Sequence, residues 1–264
     1  KRKEETKKLR KKLEHEVKQT KTVSNSNRDS AISTRVQINK DNEFDKIKKI
    51  VNRRNIEALM HFTRMENLKS ILAHGLVPID MQSNYNLTAI RNDHGRYDNM
   101  LNCTSLSVSF PNYKLFTKFR EYQYPGSRWV VIVLKPELLY SEQNKVYFCS
   151  ANAARSNIYL NDDSLTTATA FENMFCNQYT EDGNISIDRR KLNISDNFTT
   201  NPQAELLVGG IIQPTFISSV RFRTKDQLNE FMRSSGYQFL NKFKFEIGEE
   251  YFGPRSDYSF WQGR

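Results

Sequence analysis

The sequence predicts an α+β fold, on three observations. Strand-like segments outnumber helical ones late in the chain, strands and helices follow no regular βαβ rhythm, and nothing repeats at the period of a solenoid or propeller. At 264 residues the chain is long enough for one or two domains and for a core that needs no covalent staples. Its 17 Phe and 12 Tyr, with many Ile, Leu and Val, exclude disorder throughout. No apolar run approaches the roughly eighteen residues of a membrane span, and no apolar stretch sits N-terminally where a signal peptide would.

Residues 1–42 read as a basic arm and polar linker, and residues 43–264 as the globular domain. Residues 1–21 are good helix formers with Leu9, Leu13 and Val17 in a narrow stripe. They hold ten Lys or Arg against four Glu, so +6 of the net +10 lies there. Such an arm adds phosphate contacts or is a solvated helix. Residues 22–42 are Ser, Asn and Thr rich and aperiodic.

In the body, Asp45 to Arg54 reads as a helix with Ile47, Ile50 and Val51 on one side. Ile56 to Phe62 reads as a strand. Thr63-Arg-Met-Glu66 reads as a capping box opening a helix through Met65, Leu68 and Leu72, with Gly75 just past its end. Residues 79–99 are a long polar loop. Ser105, Ser107 and Ser109 alternate with Leu106, Val108 and Phe110 in a half-buried strand. Tyr113 to Tyr122 is expected to be helical. The apolar run Trp129 to Leu134 suits a central strand buried on both faces. Lys145 to Cys149 is a short strand, Leu165 to Asn177 a helix, and 179–201 a second polar segment. Ala204 to Val208 and Ile217 to Arg223 are strands. Thr224 to Ser234 is a helix opened by Thr224-Lys-Asp-Gln227, and Tyr237 to Ile247 is a closing strand.

The pI of about 9.4 suggests a polyanionic partner, although residues 22–264 carry only +4. Cys103, Cys149 and Cys176 are odd in number and far apart, which points to free thiols in a reducing cytoplasm rather than disulfides or zinc. The four histidines show no metal-ligand spacing. Glycine-rich nucleotide loops and the nucleophile elbow are missing, so a Rossmann site, a P-loop and an α/β hydrolase are not expected.

Two places carry chemistry. Period-2 alternation puts His61 and Thr63 on one side at a strand end, where an imidazole and a hydroxyl can fix a ribose or an amide; a packed histidine beside a capping threonine fits the same spacing. Gln203 and Glu205 lie on one face of a strand running into apolar residues. A carboxylate entering a buried strand needs partners, and an edge-strand ion pair is the plainer alternative.

Together these segments resemble the DarT family of nucleic-acid ADP-ribosyltransferases. His61-x-Thr63, followed by Asn67-Leu68 and Ile71-Leu72 up to Gly75-Leu76, resembles the family's opening, and Gln203-Ala-Glu205 its catalytic strand. Arg96-Tyr-Asp98, the serine strand through Tyr113, and Asn152-Ala-Ala154 are similar to the branch that modifies guanine in DNA. The resemblance covers about residues 54–250 and leaves residues 1–42 outside.

The resemblance implies an ADP-ribosyltransferase-like split β-core with NAD, a co-substrate, in the cleft between two sheets, flanked by helices. It implies that His61, Phe62, Thr63 and Ser105 bind NAD. Arg96 would be the loop arginine that clamps the pyrophosphate, with Arg91 as rival. Glu205 would be the catalytic carboxylate, and Gln203 and Asn152 would meet the acceptor, with 179–201 as the substrate loop. The implied function is mono-ADP-ribosylation of bases, guanine first, in single-stranded DNA by a monomeric, cytoplasmic toxin or phage-defence effector. An antitoxin protein would be its partner, with no membrane and no metal. RNA as acceptor, or a binding module without catalysis, are the alternatives.

The chemistry is coherent. Breaking the nicotinamide–ribose bond builds positive charge on a sugar, which a carboxylate near the 2-OH stabilises. The base edge must be unpaired to enter the cleft. Tyr113, Tyr122, Tyr124 and Tyr179 are candidates to stack on bases.

Overall fold

In the computed structural model the described residues are 42–91, 100–154, 163–181 and 185–261. The arm of residues 1–21 and most of the linker lie outside them. The chain divides between Asp45 and Lys46, and the unit described here is Lys46–Arg264.

A helix over 42–53 (α1) supplies Ile47, Ile50 and Val51 to the core. Strand β1 (Leu59–Arg64) leads through a 3-10 turn into α2 (Leu68–His74). Then come β2 (Cys103–Val108), α3 (Tyr113–Thr117) with a π-helical extension Lys118–Gln123, β3 (Trp129–Leu134), β4 (Val146–Cys149) and α4 (Ala168–Asn173). Strands β5 (Gln178–Glu181) and β6 (Ile185–Asp188) precede β7 (Glu205–Gly209), β8 (Ile217–Phe222), α5 (Lys225–Ser234), β9 (Lys244–Ile247) and α6 (Tyr258–Trp261). Among the described residues no helix is long and apolar enough to cross a membrane.

The main sheet runs β4-β7-β2-β1-β3-β8-β9 and is antiparallel except for β8–β9, which α5 joins as a parallel crossover. Strand β3 explains its own composition. Val130, Ile132 and Leu134 enter the large core, while Trp129, Val131 and Val133 enter a second core with Phe116, Phe119 and Phe252, so both faces are apolar.

The sheet parts in its middle. β1 pairs with β3 at all six of its positions, but with β2 only through Leu59↔Val108 and Met60↔Ser107. Beyond Met60 the halves β4-β7-β2 and β1-β3-β8-β9 diverge, which is the split β-core expected from the resemblance.

Several local expectations are corrected. Thr63 does not cap a helix: it lies inside β1, and the turn that follows has no side-chain cap. The polar segment 179–201 carries strand structure, since β5 and β6 pair antiparallel there. The closing strand is only Lys244–Ile247, because Gly236–Phe239 turns as a 3-10 helix under Phe231. At the second capping box only half is made: Thr224 Oγ1 accepts the Gln227 N–H at 3.3 Å, while Gln227 Oε1 makes no return bond.

Gly75 ends α2 at φ +84°, and a Cβ there would lie 2.1 Å from the carbonyl oxygen of Ile212. That strand-like contact, Leu76↔Ile212, docks the end of α2 beside β7. Gly75→Ala is expected to lose more than about 1 kcal/mol, from the left-handed backbone and the displaced bridge together. Chemical denaturation of both proteins measures it.

Candidate active site

A cavity of about 730 Å³ occupies the split, within the usual range for small-molecule sites. His61, Phe62 and Thr63 of β1, Ser105 of β2, Asn152 and Glu205 all line it. The structure thus brings together six of the eight residues expected from the sequence.

Register explains the juxtaposition. Ser105 pairs with Leu207, cross-strand partners share a face, and Glu205 lies two residues from Leu207. Ser105 and Glu205 therefore face the same side. Glu205 is buried at the start of β7, opposite Cys149. The backbone N–H of Ala153 donates to one carboxylate oxygen at 3.2 Å and Asn152 Nδ2 to the other at 3.4 Å. Asn152 in turn accepts the Ala154 N–H at 2.9 Å, so the turn 152–154 holds the carboxylate in place.

Across the split, His61 Nδ1 lies 3.0 Å from the carbonyl oxygen of Ser105. A carbonyl only accepts, so Nδ1 carries a hydrogen and is the donor in this bond. This bond replaces the ladder that β1 and β2 abandon. Thr63 is buried, and its hydroxyl accepts from Asn67 Nδ2 at 3.1 Å. Phe62 is a wall: its ring stacks on Phe116 at 4.5 Å and meets Trp129 edge-on.

Arg96 lies outside the described residues. Its rival Arg91 lines the cavity, as does Lys118, which the sequence reading passed over. Asn67 was also missed as a site residue. It lines the cavity, donates to the Ile90 carbonyl at 3.0 Å and accepts the Ile90 N–H at 2.8 Å, and so fixes the residue before Arg91. Its signal was its place four residues after Thr63, which the apparent capping box obscured.

Gln203 does not line the cavity. Strand pairing begins only at Glu205, so the expected shared face does not extend back to Gln203, which sits in a turn with its N–H bonded to Asn201 Oδ1 at 2.8 Å. Of the tyrosines, Tyr113 is buried and its hydroxyl is pushed up by burial and by Asp257, so it is no base-stacking platform. Tyr179 is half-buried and accepts from Asn201 Nδ2. Tyr124 lines the cavity with the Arg64 guanidinium 4.1 Å from its ring, and Tyr122 is 77% exposed.

A split α+β core, a carboxylate buried at a strand start and an imidazole across the gap define a site of the ADP-ribosyltransferase class. The family model described as ssDNA thymidine ADP-ribosyltransferase, DarT, matches residues 60–253. The chain belongs to the DarT family and is an ADP-ribosyltransferase.

Among solved structures it is similar to Thermus sp. 2.9 DarT in complex with NAD+, at 15% identity and a TM-score of 0.48, over 75% of this chain and 98% of that one. The same protein in complex with ADP-ribosylated ssDNA gives 14% identity and a TM-score of 0.49, over 75% and 97%. Thermosipho africanus DarTG in complex with ADP-ribose gives 13% and 0.48 over 74% of this chain, which spans only 51% of that protein. No curated protein matches.

Proposed function

We propose that the cavity holds NAD and that Glu205 directs transfer of ADP-ribose to a base of single-stranded DNA, guanine in the first instance. The reading is of a monomeric cytoplasmic toxin or phage-defence effector whose partner is an antitoxin. It rests above all on Glu205, a carboxylate buried at the split and clamped by Asn152 and Ala153 in the same cavity as His61. The donor set suits the substrate: cations at Arg91 and Lys118 for a pyrophosphate, and amide, hydroxyl and imidazole groups for ribose and carboxamide.

NAD supplies a sugar carbon whose bond to nicotinamide breaks, the nicotinamide leaving with the bonding pair. His61 and Thr63 orient the riboside portion. Phe62 and its aromatic neighbours keep water from one wall. Glu205 takes a hydrogen bond from the ribose 2-OH and offsets the positive charge that develops on the sugar. It also accepts the proton that the attacking base nitrogen loses. Arg91, which lines the cavity, or Arg96, which lies outside the described residues, supplies the clamp. Gln203, in the turn entering β7, and Asn152 meet the acceptor.

Thymine is the second reading, and the family description favours it. Incubation of the full chain with NAD and oligonucleotides carrying only guanine or only thymine as the reactive base separates the two. A gain of one ADP-ribose on one oligonucleotide names the base; a gain on RNA alone, or on none, overturns the reading.

Binding is tested apart from chemistry. A ligand at a hundred times its Kd stabilises the native state by about 2.7 kcal/mol. Saturating NAD is expected to raise the melting temperature of the wild type, and His61→Ala to lose most of that rise, as read by differential scanning fluorimetry.

A further inference from the structure

We propose that a second recess, between the end of α1 and the β6–β7 connection, is a subsite for a backbone phosphate of the acceptor strand. This rests on the single-stranded DNA reading above. The recess, of about 470 Å³, is lined by Arg54, Asn177, Arg189, Arg190, Asn193 and Asp196, with Ile194, and among the described residues it shares none with the cavity proposed for NAD.

Its charge is unbalanced. Among the described residues, three guanidinium groups line it against one carboxylate, Asp196. Glu172 pairs with Arg54 but is shared with Arg53. Arg189 is 4% exposed, and its side-chain hydrogen bonds go to neutral oxygens: the Phe198 carbonyl at 2.7 Å, Thr200 Oγ1 at 3.2 Å and the Ser195 carbonyl. Burial lowers its hold on its proton, and Arg54 beside it acts in the same direction. Arg54 Nε–H is buried without an acceptor, its guanidinium 4.4 Å from the Phe175 ring. Like charges drawn together in a partly dry recess are costly unless an anion joins them.

Guanidinium forks and amide donors around one recess suit a phosphate. Position points to the acceptor. Arg189 binds Thr200, five residues before Glu205, so the segment that walls the recess also carries the catalytic strand. A strand presenting a base at Glu205 passes along that segment.

The test is binding of a fluorescent single-stranded DNA oligonucleotide to the full chain over a salt series. Arg190 is exposed, and the bond from its backbone N–H to Asp188 Oδ1 does not depend on its side chain. Arg190→Gln is expected to weaken binding about tenfold at low salt and to flatten the salt slope by about 0.7, one phosphate contact on a single strand. Lys191→Gln, the same charge change outside the recess, should cost less than about twofold. The melting rise with NAD should persist in Arg190→Gln, which shows an intact fold. Asn193→Asp, which adds negative charge to the wall, is expected to weaken binding as well.

Inorganic phosphate alone should compete with DNA for the wild type and not for Arg190→Gln. The loss should be equal with and without a 5′-phosphate on the oligonucleotide. Parallel slopes for Arg190→Gln and wild type, or a loss confined to 5′-phosphorylated DNA, overturn the subsite alone. A wild type that binds no single strand overturns the acceptor reading and the subsite with it.

Discussion

Glu205→Gln is expected to lower ADP-ribose transfer by about 10³-fold, roughly 4 kcal/mol of barrier, while NAD binding survives. The amide keeps the shape of the carboxylate and its oxygen can still accept the Ala153 N–H, at the cost of the longer Asn152 bond, whose donor then faces the amide NH2. What it loses is the negative charge facing the sugar and the capacity to take a proton from the base. Both matter in the transition state and little in the bound ground state, so kcat falls far more than the apparent affinity for NAD. Glu205→Ala removes the acceptor for Ala153 as well, and should add a stability loss of about 1–3 kcal/mol that the Gln variant avoids. Single-turnover transfer to a labelled oligonucleotide, with melting curves of both variants, measures the two effects separately. Transfer by Glu205→Gln within a few-fold of wild type would remove Glu205 from the chemistry.

Much of this site was legible in the sequence because strands impose a period of two. The alternation through Ser105, Ser107 and Ser109 places β2, and the run Trp129–Leu134 places β3 residue for residue. Antiparallel pairing then carries Ser105 and Glu205 to one face. Reading failed where a residue had two plausible uses. Thr63 has the spacing of a helix cap, yet its hydroxyl serves Asn67 inside a strand. Gln203 has the spacing of a strand residue, but Asn201 turns the chain there, and the ladder with β4 starts at Glu205. Local spacing cannot register the opening between β1 and β2, since that depends on where two distant segments stop pairing. The same limit hid Asn67, whose task is set by Ile90, 23 residues away. It also hid Arg189, whose acceptors lie on the loop that it folds beneath itself.

Asp257→Asn is expected to destabilise the protein by about 3–5 kcal/mol, because it strands a buried cation. Arg255 and Asp257 are 4% and 6% exposed. They meet in two parallel bonds of 2.7 and 2.6 Å, and Trp261 Nε1 donates to the same carboxylate at 2.8 Å. Arg255 also donates to the Thr199 carbonyl at 3.0 Å, so the C-terminal segment braces the turn that leads into Glu205.

Burial alone would raise the Asp257 carboxyl, but the hydrogen bonds and charge of Arg255, with the Trp261 bond, outweigh it and hold the group below the usual carboxylate range. A carboxyl depressed in the folded state contributes stability that is complete above its unfolded value of about 3.9 and is lost as pH falls through the lower folded value. The wild type should therefore lose stability below about pH 4, and Asp257→Asn should lack that part of the acid limb while being weaker at neutral pH. The expected fall in melting temperature at neutral pH is about 6–20 °C for a domain of this size. Urea unfolding of both proteins from pH 7 down to pH 3 provides the comparison, and acid limbs of equal steepness would show that the pair does not hold this corner of the fold.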